Sequence, residues 1–427
     1  MGCLGVVTAI VVIQFALAEV KAGVFQDCSP CEEISECNPC DEVSCDPCEA
    51  ICGTKKSKWF VNGYLEAGFF ATEYGQKNVY YPKTPGYSHN NVAYGNGGYS
   101  FPFWGATYKP LQNVSNTGGQ LNQLYLSVGK SVDGKHGWDF GGTVDFTFGT
   151  DAGLVQSAGL EYSAGHGPDS WGTGDYYSAF AQAYFEAAYK KWNVKVGKVY
   201  APFGSNGYQS TSRFFYSLAD TFAFVPATAL GAYATYTVND KLSVYGGWVQ
   251  PDQFGETSDN NAFLGGAIWQ VSKRLNVHYA LGIGKNDQDN ADTDYFVNSL
   301  VATYQLNKKW KYIFDWSLAN YTAGATNDHT GTYGINNELI YQYNSKWAFG
   351  VRAGWVHEYS SADNKYTFSV GANWTPTKWL LVKPELRYDK YEDATPFNVV
   401  NDAGWWRAPE FWKNDQFSGG ISAIVKF

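Results

Sequence analysis

The residues best placed to do chemistry are thiols. Seven of the eight cysteines lie close together: Cys28 and Cys31, Cys37 and Cys40, Cys45 and Cys48, then Cys52, in a repeat of Cys-x-Pro-Cys units. Three chemistries use such spacing. Zinc wants paired C-x2-C units, and the repeat supplies them. A thiol exchange motif needs a βαβ scaffold, for which no pattern is present here. Disulfides suit an exported segment, where thiols oxidise, and an odd number leaves one thiol free or bonded to a second chain. Disulfide use is the expectation carried forward, with zinc as its alternative. Residues 1–57 hold nine Asp and Glu against three Lys, a net of −6, which leaves −3 of the total −9 for residues 58–427. So acidic and apolar-poor a segment is not expected to fold around a core of its own.

Histidine chemistry is sparse. The six residues, His89, His136, His166, His278, His329 and His357, form no H-E-x-x-H pair, and no G-x-S-x-G elbow or Walker loop accompanies them. His357-Glu358 reads as a surface pair at a loop edge. The chain is therefore not expected to be an enzyme or to hold a metal or cofactor. The net charge of −9 and the lack of a basic tract exclude a nucleic-acid partner.

A third group consists of charges spaced by twos. Between Gly137 and Gly149, Trp138, Phe140, Val144, Phe146 and Phe148 alternate with Asp139, Thr143, Asp145 and Thr147, the period of a β-strand. Two carboxylates opposite a row of aromatics must meet water. The same parity elsewhere places Glu66, Asp139, Asp145, Glu186, Asp315, Glu338 and Glu385, with Lys195, Lys311, Arg352, Lys383 and Arg387, on the watered face. These acids outnumber the bases, which gives an expectation of weak cation preference if that face lines a passage. Lys383, Glu385 and Arg387 also fit an internal salt-bridge ladder.

The elements that would hold these charges are strands. Aromatics reach 18%, with 32 Tyr and 16 Trp, while charged residues are only 17%, and Tyr and Trp gather where apolar and aqueous phases meet. Mean hydropathy is −0.32, and the single long apolar run, residues 2–18, reads as a signal peptide ending at Ala16-Leu17-Ala18. Cys3 falls within it. A basic turn followed by Trp or Leu recurs at Lys58-Trp59, Lys190-Lys191-Trp192, Lys241-Leu242, Arg274-Leu275, Lys309-Trp310, Lys346-Trp347 and Lys378-Trp379. Tight turns on one side and long loops on the other belong to transmembrane barrels.

The reading is an all-β, transmembrane antiparallel β-barrel of about sixteen strands of roughly ten residues, enough to cross a bilayer at a tilt. Strands are expected near 59–73, 120–131, 137–149, 177–189, 192–200, 229–238, 242–249, 262–271, 275–284, 294–306, 310–319, 332–343, 347–356, 365–374, 379–388 and 416–427. Long loops fall at 74–119, 150–176, 201–228, 250–261, 285–293, 320–331, 357–364 and 389–415. The domains are thus a signal peptide at 1–18, a cysteine-rich segment at 19–58 and the barrel at 59–427. An even strand count puts both barrel termini on one side, so the cysteine segment is expected in the periplasm. The last strand, Gln416 to Phe427, alternates apolar and small or polar residues and ends on an aromatic, like an outer-membrane assembly signal.

Val196 to Gly204 reads VGKVYAPFG. This resembles the Gly-Lys-x-x-x-Pro-Phe-Gly signature of the beta-barrel porin-2 (OmpL-like) family, and the likeness extends over about residues 59–427. The resemblance implies a bacterial outer-membrane pore for passive diffusion of ions and small hydrophilic solutes, with outer-membrane lipid around it and a homotrimer as the usual assembly. It also implies that the loop at 201–228, with Arg213, Phe214, Phe215 and Tyr216, folds inward as a constriction; packing over the barrel mouth is the alternative. The other function open to the sequence is a structural or adhesive envelope protein, crosslinked to disulfide-linked partners through its N-terminal cysteines.

Overall fold

Alternation of apolar and polar residues over ten to fourteen positions can be satisfied by a strand between two unlike media. A computed structural model describes residues 58–73, 94–95, 98–99, 118–157, 159–161, 171–173, 176–251, 261–285, 293–323, 329–359, 362–393, 397–398 and 412–427. The expected signal peptide, the seven repeat cysteines and most of the first loop lie outside the described residues.

Sixteen long strands follow in chain order: β1 Trp59–Thr72, β2 Gly118–Lys130, β3 Asp139–Gly149, β4 Tyr176–Tyr189, β5 Trp192–Tyr200, β6 Thr228–Asn239, β7 Leu242–Pro251 and β8 Asn261–Ser272. They continue as β9 Leu275–Lys285, β10 Thr293–Gln305, β11 Trp310–Ala323, β12 His329–Gln342, β13 Trp347–Glu358, β14 Asp363–Thr377, β15 Leu380–Tyr391 and β16 Asp415–Lys426. Each pairs antiparallel with the next, and β16 returns to β1, with Tyr64 opposite Lys426 and Thr72 opposite Ser418. The sheet is a closed barrel, which leaves no strand edge for lipid to meet.

At the loop ends the largest departures from the expected limits are those of β11, which continues to Ala323, β12, which begins at His329, and β15, which continues to Tyr391. The ladder outlasts the alternation there because above the lipid neither face needs to be apolar. Short pairs also occur inside spans expected as loops: Gly172–Thr173 against β4, and Phe397–Asn398 against Trp412–Lys413.

The hydrophobic pattern is inverted relative to a soluble sheet. Trp347, Phe349 and Val351 on β13 and Tyr366, Phe368 and Val370 on β14 point outward and are 36–50% exposed. Arg352 and Ser369, opposite each other on the other parity, are buried inside. This is the apolar-out, polar-in order of a membrane barrel.

The tight turns follow a local rule that the basic-Trp signal only hinted at. Asn344 Oδ1 accepts the amides of Lys346 (2.8 Å) and Trp347 (2.9 Å), and Asn307 Oδ1 does the same for Lys309 and Trp310. Two residues before each Asn, a glutamine closes the other side: Gln342 Nε2 donates to the Asn344 and Trp347 carbonyls, and Gln305 Nε2 to those of Asn307 and Trp310. Gln270 and Ser272 repeat the arrangement with Ser as acceptor. Side-chain oxygens that bond the backbone two and three residues on fix a turn locally. The Trp that ends each turn stacks sideways, Trp310 on Tyr341 (4.6 Å between centroids) and Trp347 on Trp374 (5.7 Å), giving a girdle at the turn side.

The closing seam depends on the last residue. Gly63 and Phe427 exchange two backbone hydrogen bonds, each 3.0 Å, and the Phe427 ring lies over Gly63, where a Cβ would stand 2.8 Å from it. Phe427→Asp replaces an apolar contact at the seam with a charge, weakening closure by about 1–2 kcal/mol. The folded, heat-modifiable fraction on unboiled gels should fall; a fraction equal to the parent's would contradict the seam's dependence on that ring.

Candidate functional site

The site grows from the chain that leaves β5. Pro202 and Gly204 turn it, Gly204 adopting φ +71°, which a side chain resists. From there residues 201–227 run across the barrel interior before β6 begins. Anchors on opposite walls place them there. Ser205 donates through its amide and hydroxyl to Asp315 on β11 (2.8 Å each), and Asn206 reaches Glu338 on β12 at 3.1 Å. Ser210 donates to Glu66 on β1, and its amide to Tyr64 at 3.1 Å. The second limb returns to Asp315 through Thr221 at 3.0 Å.

Between these anchors the loop meets the charges of β13–β15. Glu385 accepts both the Ser217 amide and hydroxyl at 2.7 Å and pairs with Arg352 at 2.9 Å. Arg352 in turn donates to the Ser217 carbonyl (2.9 Å) and lies 4.6 Å from the Phe215 ring. Asp220 bridges Lys365 and Arg387, both at 2.8 Å, and Asp389 joins the same two cations. Lys383 donates to the carbonyls of Ser210 (2.8 Å) and Arg213 (2.9 Å). The triad at 383, 385 and 387 thus does not pair among itself: Lys383 bonds to the loop, Glu385 to the loop and to β13, and Arg387 to Asp220 and, along its own strand, to Asp389. A buried ion pair needs further hydrogen bonds to offset its desolvation, and the loop backbone supplies them.

The loop's aromatic residues fill space left by glycines. Phe214 occupies the room over Gly350, where a Cβ would stand 2.4 Å from its ring, and Tyr216 that over Gly68, while its hydroxyl donates to Asn122 at 2.9 Å. Arg213 turns back into the loop, donating to the Tyr208 carbonyl (2.5 Å) and lying 3.6 Å from Asp151. Asp151 belongs to a short 3-10 turn, Thr150–Val155, directly after β3.

Electrostatics separates two loop carboxylates. Burial works against the charge on Asp220, yet Lys365 and Arg387 outweigh it and hold the group well below the usual carboxylate range. Burial pushes Asp151 up to about 7, since Arg213 only partly opposes it and Glu66 adds to it.

Of the remaining parity residues, Asp145 accepts from Tyr125 (2.5 Å) and Gln182 (2.6 Å). Glu186 and Lys195 face each other at 4.0 Å on β4 and β5, and Lys311 is half-buried on the same parity as Asp315. Asp139 lies apart from the others, at the turn end, paired with Lys58 at 2.6 Å. Sequence reasoning missed Ser217, Asp220, Lys365, Asp389 and Asp151. Lys365 already lay on the inward parity of the expected strand 365–374, and Asp389 could have been found by extending that of β15 to its true end; the loop partners leave no periodic signal. Among the described residues no cluster suits a metal ion.

Two variants read this network. Glu385→Leu leaves Arg352 buried without its counter-ion, which costs about 3–5 kcal/mol; trypsin should then cleave after Arg213, and a loop as resistant as the parent's would contradict the clamp. Asp151 has its pKa raised on folding, so its ionisation costs stability as pH rises from about 4 to 7. The parent's urea midpoint should therefore fall between pH 5 and 8 more than that of Asp151→Asn, and equal falls would contradict the shift.

The comparisons with known proteins agree with this architecture. The family model described as beta-barrel porin-2, OmpL-like matches residues 74–427. Among solved structures, the chain is similar to the anion-selective porin from Comamonas acidovorans, at TM-score 0.59 and 10% identity, covering 87% of this chain and 100% of that one. It is also similar to the outer membrane channel DcaP of Acinetobacter baumannii, at TM-score 0.52 and 11% identity over 86% and 97% of the two chains. A third is OmpT of Vibrio cholerae in its trimer form, at 0.51 and 13% over 86% and 99%. A search of curated proteins finds no match. A family match over most of the chain, on a closed sixteen-strand barrel with polar residues inside, makes this an outer-membrane porin channel of the beta-barrel porin-2, OmpL-like family.

Proposed function

We propose that the loop at 201–227 is the constriction of this channel and that ions and small hydrophilic solutes pass beside it, along the wall it leaves bare. The carrying observation is the direction of the loop's charges. Arg213 and Asp220 are both turned into the buried network, so the loop presents neutral groups to the passage, among them exposed Gly207 and Ser212. Glu66, Asp145, Asp315, Glu338, Arg352, Lys383, Glu385 and Arg387 then act by setting the potential behind the constriction, and Glu186, Lys195, Lys311 and Asp139 by facing the water. Among the described residues eleven acidic ones are buried against six basic ones, an excess that supports weak cation preference. A homotrimer is the proposed assembly, supported by the trimer form of the Vibrio cholerae neighbour. The reading that the protein does not catalyse a reaction rests on the same architecture.

Refolded protein in planar bilayers should give stable unit conductance steps, with a reversal potential in a potassium chloride gradient displaced towards potassium. Folded, heat-modifiable protein that gives no steps would overturn the passage beside the loop. A chloride-directed potential would overturn the charge assignment alone.

A further inference from the structure

The wall away from the ion-pair network carries a group of side chains that the network does not use, of which Tyr184 and Tyr233 also pack against the apolar cluster holding Phe203 and Phe224. Tyr184 and Glu186 on β4, Lys195 on β5, Tyr233 on β6, Tyr245 on β7 and His278 on β9 share the inward parity through their cross-strand partners: Glu186 stands opposite Lys195, Lys195 opposite Tyr233, and Tyr245 hydrogen-bonds His278 Nε2 at 2.8 Å. They are nearly all half-buried, Tyr245 lying deeper. Glu186, Lys195, Tyr245 and His278 lie four or so residues from their tight turns, about 10 Å into the barrel at the tilt of such strands.

The belt has a defined chemistry. Lys195 Nζ lies 4.3 Å from the centre of the Tyr184 ring and 3.2 Å from its hydroxyl, with Glu186 at 4.0 Å. Glu186 is held by Asn193 at 2.8 Å. Tyr233 and Tyr245 meet edge to face at 6.3 Å. Ring faces, hydroxyls, an amide and a charge-compensated ammonium and carboxylate thus alternate along one strip of wall. Sites that hold small molecules combine apolar aromatic surface with a few placed polar groups. The charges decide which molecule. An anion would approach Lys195 against the excess of buried carboxylates, and a cation would approach Glu186 against Lys195, whereas an uncharged solute meets no opposing field.

We propose that this belt is a binding strip for neutral polyhydroxylated solutes, saccharides, whose C–H faces lie on the tyrosines and whose hydroxyls bond Lys195, Glu186 and Asn193. The proposal rests on the channel reading for its route but not for its binding.

Two measurements separate the two. Sucrose added to bilayers should interrupt the single-channel current, while an ethylene glycol oligomer of similar mass should not; Tyr233→Ala with Lys195→Ala should raise the sucrose concentration that half-blocks the current about tenfold, as loss of roughly 1.4 kcal/mol would. Saturation-transfer NMR on detergent-folded protein should show sucrose protons receiving saturation, lost in the double variant, whether or not current flows. Heat-modifiability of the double variant establishes that it folds. Sucrose saturation without conductance would sink the passage and keep the strip. No saturation, equal block by the glycol oligomer, or saturation unchanged in the folded double variant would each overturn the strip.

Discussion

A carboxylate shut away from water must find donors, and a barrel wall that buries several of them cannot supply enough from its own side chains. In this protein the shortfall is met largely by the loop, through its hydroxyls as well as its backbone. Asp315 accepts from Ser205, Thr221 and Ser317, and Glu385 from both groups of Ser217. The two cations that most need acceptors, Lys383 and Arg352, end on loop carbonyls. Wall and loop therefore order each other: the wall charges are tolerated because the loop is in place, and the loop has a single path because the wall charges fix it at both limbs.

This mutual dependence divides the interior unequally. Loop contacts concentrate on β1, β2 and β11–β15, where charges are dense, and the stretch through β4–β9 keeps a sparse, self-compensating set of tyrosines, Lys195, Glu186 and His278. Packing of Phe203 and Phe224 with Val249, Ala262 and Leu264 ties the loop's two roots to the upper ends of β5–β8. An asymmetric interior follows from where the chain placed its charged residues, without any asymmetry in the sheet.

Much of this was legible in the sequence because a barrel strand writes its two environments into alternate residues. Strand number, closure, the outward Trp347 and Phe349 and the inward Arg352 and Glu385 all follow from parity. Parity fails where alternation stops. It says nothing of which inward charge meets which loop atom, so Ser217 and Asp220 carried no mark, and it stopped short of Asp389, whose strand outruns the lipid. The expected ladder does not form among Lys383, Glu385 and Arg387 because Lys383 and Glu385 find their partners on the loop and on β13, and the pairing two apart along the strand is made instead by Arg387 with Asp389.

The tight turns have one more consequence. Because Gln342 and Asn344, or Gln305 and Asn307, complete their turn with atoms drawn from six consecutive residues, each hairpin carries the full instructions for its own reversal. Such a hairpin is a transferable module: a barrel assembled from them can lengthen or shorten by whole pairs of strands while the rest of the rim keeps its geometry, which makes circumference, and with it bore, a quantity that gene duplication can change in discrete steps.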